Sequence, residues 1–143
     1  MAYKDILAHV DTLEPSAARL ASAIALAEAL DARLTGIYVK SKPYLPAYAE
    51  VQIGAEVLEA HARELERIAK GAEGTFAAAT KASAVKTDWR VVEGDTPEVL
   101  ASHARYFDLT VVGQGDPGDN LFIGDRVMPD RMILSAGRPV LVV

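Results

Sequence analysis

The chain has 143 residues, half of them hydrophobic and about a quarter charged, with a formal net charge of −5; that balance can bury one core and excludes a disordered polypeptide. It contains no cysteine, which removes thiolate zinc sites and cysteine catalysis and fits a reducing compartment. An acidic surface without clustered Lys and Arg argues against nucleic acid. No stretch approaches the ~20 apolar residues of a membrane span, and "MAYKDILAHVD" lacks the form of a signal peptide, so a single cytoplasmic domain over residues 1–143 with no membrane partner is expected.

Strands and helices alternate along the sequence. "YKDILAHVD" (3–11) is a short apolar run suited to a central strand. After Pro15, "SAARLASAIALAEAL" places Leu20, Ile24, Ala27 and Leu30 at helical spacing, with alanines that permit close packing on a sheet. "ARLTGIYVK" (32–40) reads as the second strand. A connection with Tyr44 and Tyr48 leads to a helix over 55–72, whose pattern weakens at Gly71 and Gly74. "VKTDWRVVEG" (85–94) alternates as a half-exposed edge strand would, with Val85, Thr87, Trp89 and Val91 on one face.

"DTPEVLASHARY" opens like a helix, with Thr96 as N-cap and Pro97 as first helical residue. "DLTVV" (108–112) is a strand feeding a glycine loop, a short helix follows around 128–136 and ends at Gly137, and "RPVLVV" is the last strand. This order implies an α/β fold, an open five-stranded parallel sheet of Rossmann-like type with helices on both faces. Ligands of such sheets lie beyond the strand carboxyl ends, which places Asp11, Val39 and the loop from Gly113 at one rim.

The loop "VVGQGDPGDNLFIGDRVMPD" (111–130) holds Gly113, Gly115, Gly118 and Gly124 together with Asp116, Asp119 and Asp125. Glycines admit an anion to backbone amides, whereas three carboxylates repel it. "GQGDPG" has the spacing G-x-G-x-x-G, but a dinucleotide site needs that loop after the first strand. A P-loop is rejected, because Asp119 and Asn120 stand where Lys and Ser/Thr are required. A response-regulator pocket lacks its third-strand Asp and fifth-strand Lys. His9, in the central strand, reads as a hydrogen-bonded core or rim histidine, since no nucleophile or paired carboxylate accompanies it.

In their order, "ILAHVD", "LTGIYV", "VVEGDTPEVL", "DLTVVGQG" and "GRPVLVV" resemble a single-domain universal stress protein of the UspA type over nearly the whole chain. The resemblance implies a flavodoxin-like sheet and a homodimer through the last strand, here Val140, Leu141, Val142 and Val143. In the family's ATP-binding members the loop reads G-x2-G-x9-G-[ST], the strand-end Asp lies near adenine or ribose, and a second-strand residue matching Val39 lies against adenine. Gly113 fits the first glycine, but Asp116, Arg126 and Val127 fall on the remaining positions. A shifted count puts Gly124 and Asp125 at the final pair and still replaces a hydroxyl with a carboxylate.

We therefore expect a non-enzymatic, dimeric stress-response interaction or sensor domain with a degenerate nucleotide loop, no catalytic residue and no metal site. The alternative is an ATP- or AMP-binding protein, with magnesium, acting as a slow ATPase or nucleotide switch through Asp11, Val39, Gly113, Gly115, Gly118 and Gly124, with Arg126 contacting phosphate. Protein partners besides a second copy are compatible with either.

Overall fold

The computed structural model of the chain describes residues 2–11, 15–41, 48, 52–114 and 128–143. The elements are β1 (Asp5–His9), α1 (Pro15–Leu30), β2 (Arg33–Lys40), α2 (Ala55–Thr80), β3 (Thr87–Glu93), α3 (Thr96–Ala104), β4 (Leu109–Val112), α4 (Met128–Ser135) and β5 (Val140–Val142). The sheet is parallel throughout, in the order β3-β2-β1-β4-β5. The open five-stranded α/β fold is the expected one, and its strand order reverses between β1 and β4, where the switch-point crevice of such sheets lies.

Alternation along β1 feeds two cores. Ile6, Ala8 and Val10 join Leu20, Ala23 and Ala27 of α1 and Ala72 and Phe76 of α2 on one face. Leu7, on the other, joins Leu100, Ala101 and Ala104 of α3 and Met132 of α4. Because both faces are covered, the central strands are apolar runs, as β1 and β4 are.

Two boundaries differ from the sequence expectation. Helix α2 passes through Gly71 and Gly74 to Thr80, although each glycine costs a helix about 1 kcal/mol. What outweighs that cost is the anchoring of its second half: Ala69, Ala72, Phe76 and Thr80 are buried, and Phe76 packs on Trp89 with ring centroids 5.2 Å apart. Gly36 makes room for this pair, since a Cβ there would lie 2.8 Å from Phe76 Cδ2 and from Trp89 Cε3. The first half of α2 is largely exposed, Val57 and Leu58 included, and Glu66 pairs with Lys40 at the end of β2.

The second difference is at α3, which is capped by Asp95 and not by Thr96. Asp95 accepts a hydrogen bond from the Glu98 N–H (3.3 Å), while Thr96 is buried in the first turn. Asp95 also faces Arg131 of α4 at 3.3 Å, tying the two helices of that face.

Strand β3 is an edge, as expected, but it is more exposed than its alternation predicts: Thr87 and Val91 are exposed, and Trp89 and Val92 are only partly buried. At the opposite edge, the Thr110 N–H donates to the Pro139 carbonyl and the Val143 N–H to the Val112 carbonyl. Backbone groups alternate in direction along a strand, so Leu141 also faces β4, and the N–H groups of Val140 and Val142 point to the open side. Helix α4 ends as expected, with Gly137 in the left-handed conformation at φ 65° just beyond it.

Candidate functional site

At the carboxyl rim, β1 delivers His9 and then Asp11, and β4 delivers Gly113. The first turns of α1 bring Arg19 between them. Its Nη1 donates to Asp11 Oδ2 at 3.0 Å and to the His9 carbonyl at 3.1 Å. Its Nη2 and Cζ lie against Gly113, where a Cβ would fall 2.0 Å and 2.6 Å away. Gly113 is outside the left-handed region, so its glycine is explained by this close approach and not by backbone conformation.

Arg19 is only 5% exposed, and its Nε has no hydrogen-bond acceptor among the described residues. Asp11 is more open, with 21% of its side chain exposed, and its N–H donates to Ser16 Oγ at 3.3 Å. An arginine buried in a crevice must be paired, and here all hydrogen bonds described for its guanidinium fall on one nitrogen.

The sequence singled out Asp11 and Gly113 but not the residue that joins them. Arg19 stands among Ser16, Leu20, Ala23 and Ala27, all buried. A charge on the apolar stripe of an alanine-rich helix is the signal that would have found it. Tyr38 was also missed. Burial, and secondly the charge of Asp11, raise its pKa, which places the phenol within the electrostatic reach of Asp11.

The neighbouring Val39 is buried in the core of the other face with Ile37, Leu100 and Phe107. Gly115, Gly118, Gly124 and Arg126 lie outside the described residues, as do Asp116, Asp119, Asp125, Val127 and Tyr44. Tyr48 is exposed.

His9 is nearly buried. Its Nδ1 has no partner among the described residues, and burial pushes its pKa down to about 4. The charge of Asp11 opposes that shift, and the charge of Arg19 adds to it. His9 is thus a neutral ring whose backbone carbonyl accepts from the arginine of an ion pair. Among the described residues no group of three or more His, Asp or Glu converges as a metal site would, and no helix is long and apolar enough to cross a membrane.

Solved structures share the fold. Universal stress protein UspA from Lactobacillus plantarum is 21% identical, with a TM-score of 0.73 and coverage of 100% of this chain and 99% of its own. The universal stress protein of Archaeoglobus fulgidus in complex with dAMP is 16% identical (TM-score 0.67; 99% and 98% covered). A universal stress protein family member from Arabidopsis thaliana with AMP bound is 14% identical (TM-score 0.65; 98% and 90% covered). No curated protein matches. The family model for universal stress proteins matches residues 2–143, so the chain, with its parallel sheet and its crevice between β1 and β4, belongs to the universal stress protein family.

Proposed function

We propose that this chain is a non-enzymatic, cytoplasmic sensor domain that works as a dimer and whose crevice takes a nucleoside monophosphate in preference to a triphosphate. The observation that carries this reading is a buried cation at the switch point, Arg19, held by Asp11 against Gly113. A guanidinium is suited to one phosphate group, and the strand-end carboxylate to a ribose hydroxyl.

A longer phosphate chain would run toward the loop, where Asp116 replaces the family's second glycine and Val127 its hydroxyl residue. Two like charges ~4 Å apart cost about 4 kcal/mol at an effective dielectric near 20, comparable to several amide contacts. The relatives solved with dAMP and AMP support a monophosphate as ligand class. No hydrolytic role is assigned: His9 is buried, and burial keeps its ring neutral.

Pairing of β5 with a second copy belongs to the same proposal, since an apolar strand edge left open is an aggregation hazard. Native mass spectrometry of the purified chain, alone and with AMP or ATP in the presence and absence of magnesium, tests the reading. A dimer carrying one AMP per chain, with weaker ATP occupancy, is expected. Tighter binding and turnover of Mg-ATP, or indifference to both nucleotides, would refute it.

A further inference from the structure

We infer that Arg19 and Asp11 form a paired lock that sets ligand specificity: the crevice opens fully only to a molecule that brings an anion for Arg19 and a hydroxyl for Asp11 together. This deepens the proposed function and rests on it. In the structure each group already occupies the other, through Nη1 to Oδ2 at 3.0 Å. A ligand that engages Asp11 alone takes its contact away from an arginine that is 5% exposed and whose Nε has no acceptor among the described residues. An anion that engages Arg19 alone takes it from the carboxylate. Removing one partner of a buried pair is far more costly than replacing both contacts at once.

The geometry limits where the guanidinium can go. Gly113 closes one side of it, and the His9 carbonyl holds Nη1 from below. Asp11 is the more exposed member, so an anion approaching from the rim reaches the pair at the Asp11 side and competes with its carboxylate for the same nitrogen. A phosphate monoester presents enough oxygens to engage more than one guanidinium nitrogen, whereas the contact described for Asp11 uses Nη1 alone. The Asp11 oxygen so released can accept from a hydroxyl of the same ligand. Nucleoside and phosphate therefore bind with positive coupling, which by linkage is reciprocal.

The experiment is calorimetric titration of the intact chain with AMP, adenosine and inorganic phosphate, and with adenosine in saturating phosphate. The expected results are AMP at least about 100-fold tighter than adenosine, and a roughly tenfold gain in adenosine affinity when phosphate is present. In Arg19→Gln, Asp11 is unpaired from its cation: the AMP-to-adenosine ratio should fall below about tenfold while adenosine itself binds more tightly than to the wild type. Arg19→Lys, which keeps the charge and loses the fork, should fall between the two.

Phosphate that lowers adenosine affinity or leaves it unchanged overturns the lock, and that measurement needs only the wild-type protein. Equal losses of AMP and adenosine in a folded Arg19→Gln protein also overturn it, since they mark Arg19 as structural support. Failure of the wild type to bind AMP at all overturns the proposed function itself and the lock with it.

Discussion

Gly113→Ala would place a methyl group 2.0 Å from Arg19 Nη2, 2.6 Å from Cζ and 3.0 Å from Nε. The end of an exposed arginine would swing away at little cost. This one is held by two hydrogen bonds, at 3.0 and 3.1 Å, and has almost no exposed surface to retreat into. Losing a hydrogen bond to a charged group costs roughly 1.5–3 kcal/mol, and shifting the backbone to relieve overpacking roughly 1–3 kcal/mol. The protein takes the cheaper route, so a loss of about 1–3 kcal/mol is expected. With a urea m-value of about 2 kcal/mol/M, the unfolding midpoint should fall by about 0.5–1.5 M. In an Arg19→Ala background the methyl group meets no guanidinium, and the same substitution should cost less than about 0.5 kcal/mol. Equal costs in the two backgrounds would refute the reasoning, because Gly113 would then be required for a reason other than Arg19.

Three further outcomes are expected. The unfolded chain protonates His9 near pH 6.5 but the folded chain resists to about 4, so stability should fall by about 3 kcal/mol as pH drops through that window. His103, whose pKa is also lowered, by burial and then by Arg90, adds a slope of the same sign. His9→Gln measured beside His103→Gln should therefore flatten the pH profile of the denaturation midpoint, and an unchanged slope would contradict the assignment. Gly36→Ala should destabilise by about 1–3 kcal/mol and lower Tm by several degrees, with partial rescue by Phe76→Leu, which vacates the clashing ring edge. For β5, Val142→Pro removes an outward N–H and should weaken the dimer in sedimentation velocity while the monomer stays folded, whereas Leu141→Pro cuts the β4 ladder and should unfold the chain. Similar behaviour of the two variants would reject the dimer edge or the inferred direction of its N–H groups.

The strands and their order along the chain were legible because a sheet covered on both faces demands apolar runs and its crossovers demand helices. Helix α2 was harder to delimit: its local glycines argue for an end at 71–74, and the Phe76–Trp89 contact that overrules them joins residues on separate elements. Thr96 and Asp95 are adjacent cap formers, and the choice between them depends on which side chain the core takes. At the site, Asp11 and Gly113 announced themselves by position at strand ends. Arg19 was marked only by its charge on the apolar stripe of α1, a faint signal in a helix where alanines occupy buried and exposed positions alike. Val39 and Tyr38, neighbours on β2, serve opposite faces of the sheet.

The uneven anchoring of α2 has a mechanical side. Its buried residues begin at Ala69, fourteen residues beyond Ala55, and at 1.5 Å per residue the free arm is about 21 Å long. Such an arm is a cantilever, clamped where Ala69 and Ala72 enter the buried part of the helix and braced by Glu66 against Lys40. A tilt of 5° at the clamp would carry the tip about 2 Å by rigid-rod geometry. The brace stands on the last residue of β2, at the same rim as Asp11, so a small displacement there is delivered, enlarged, to the exposed Val57 and Leu58.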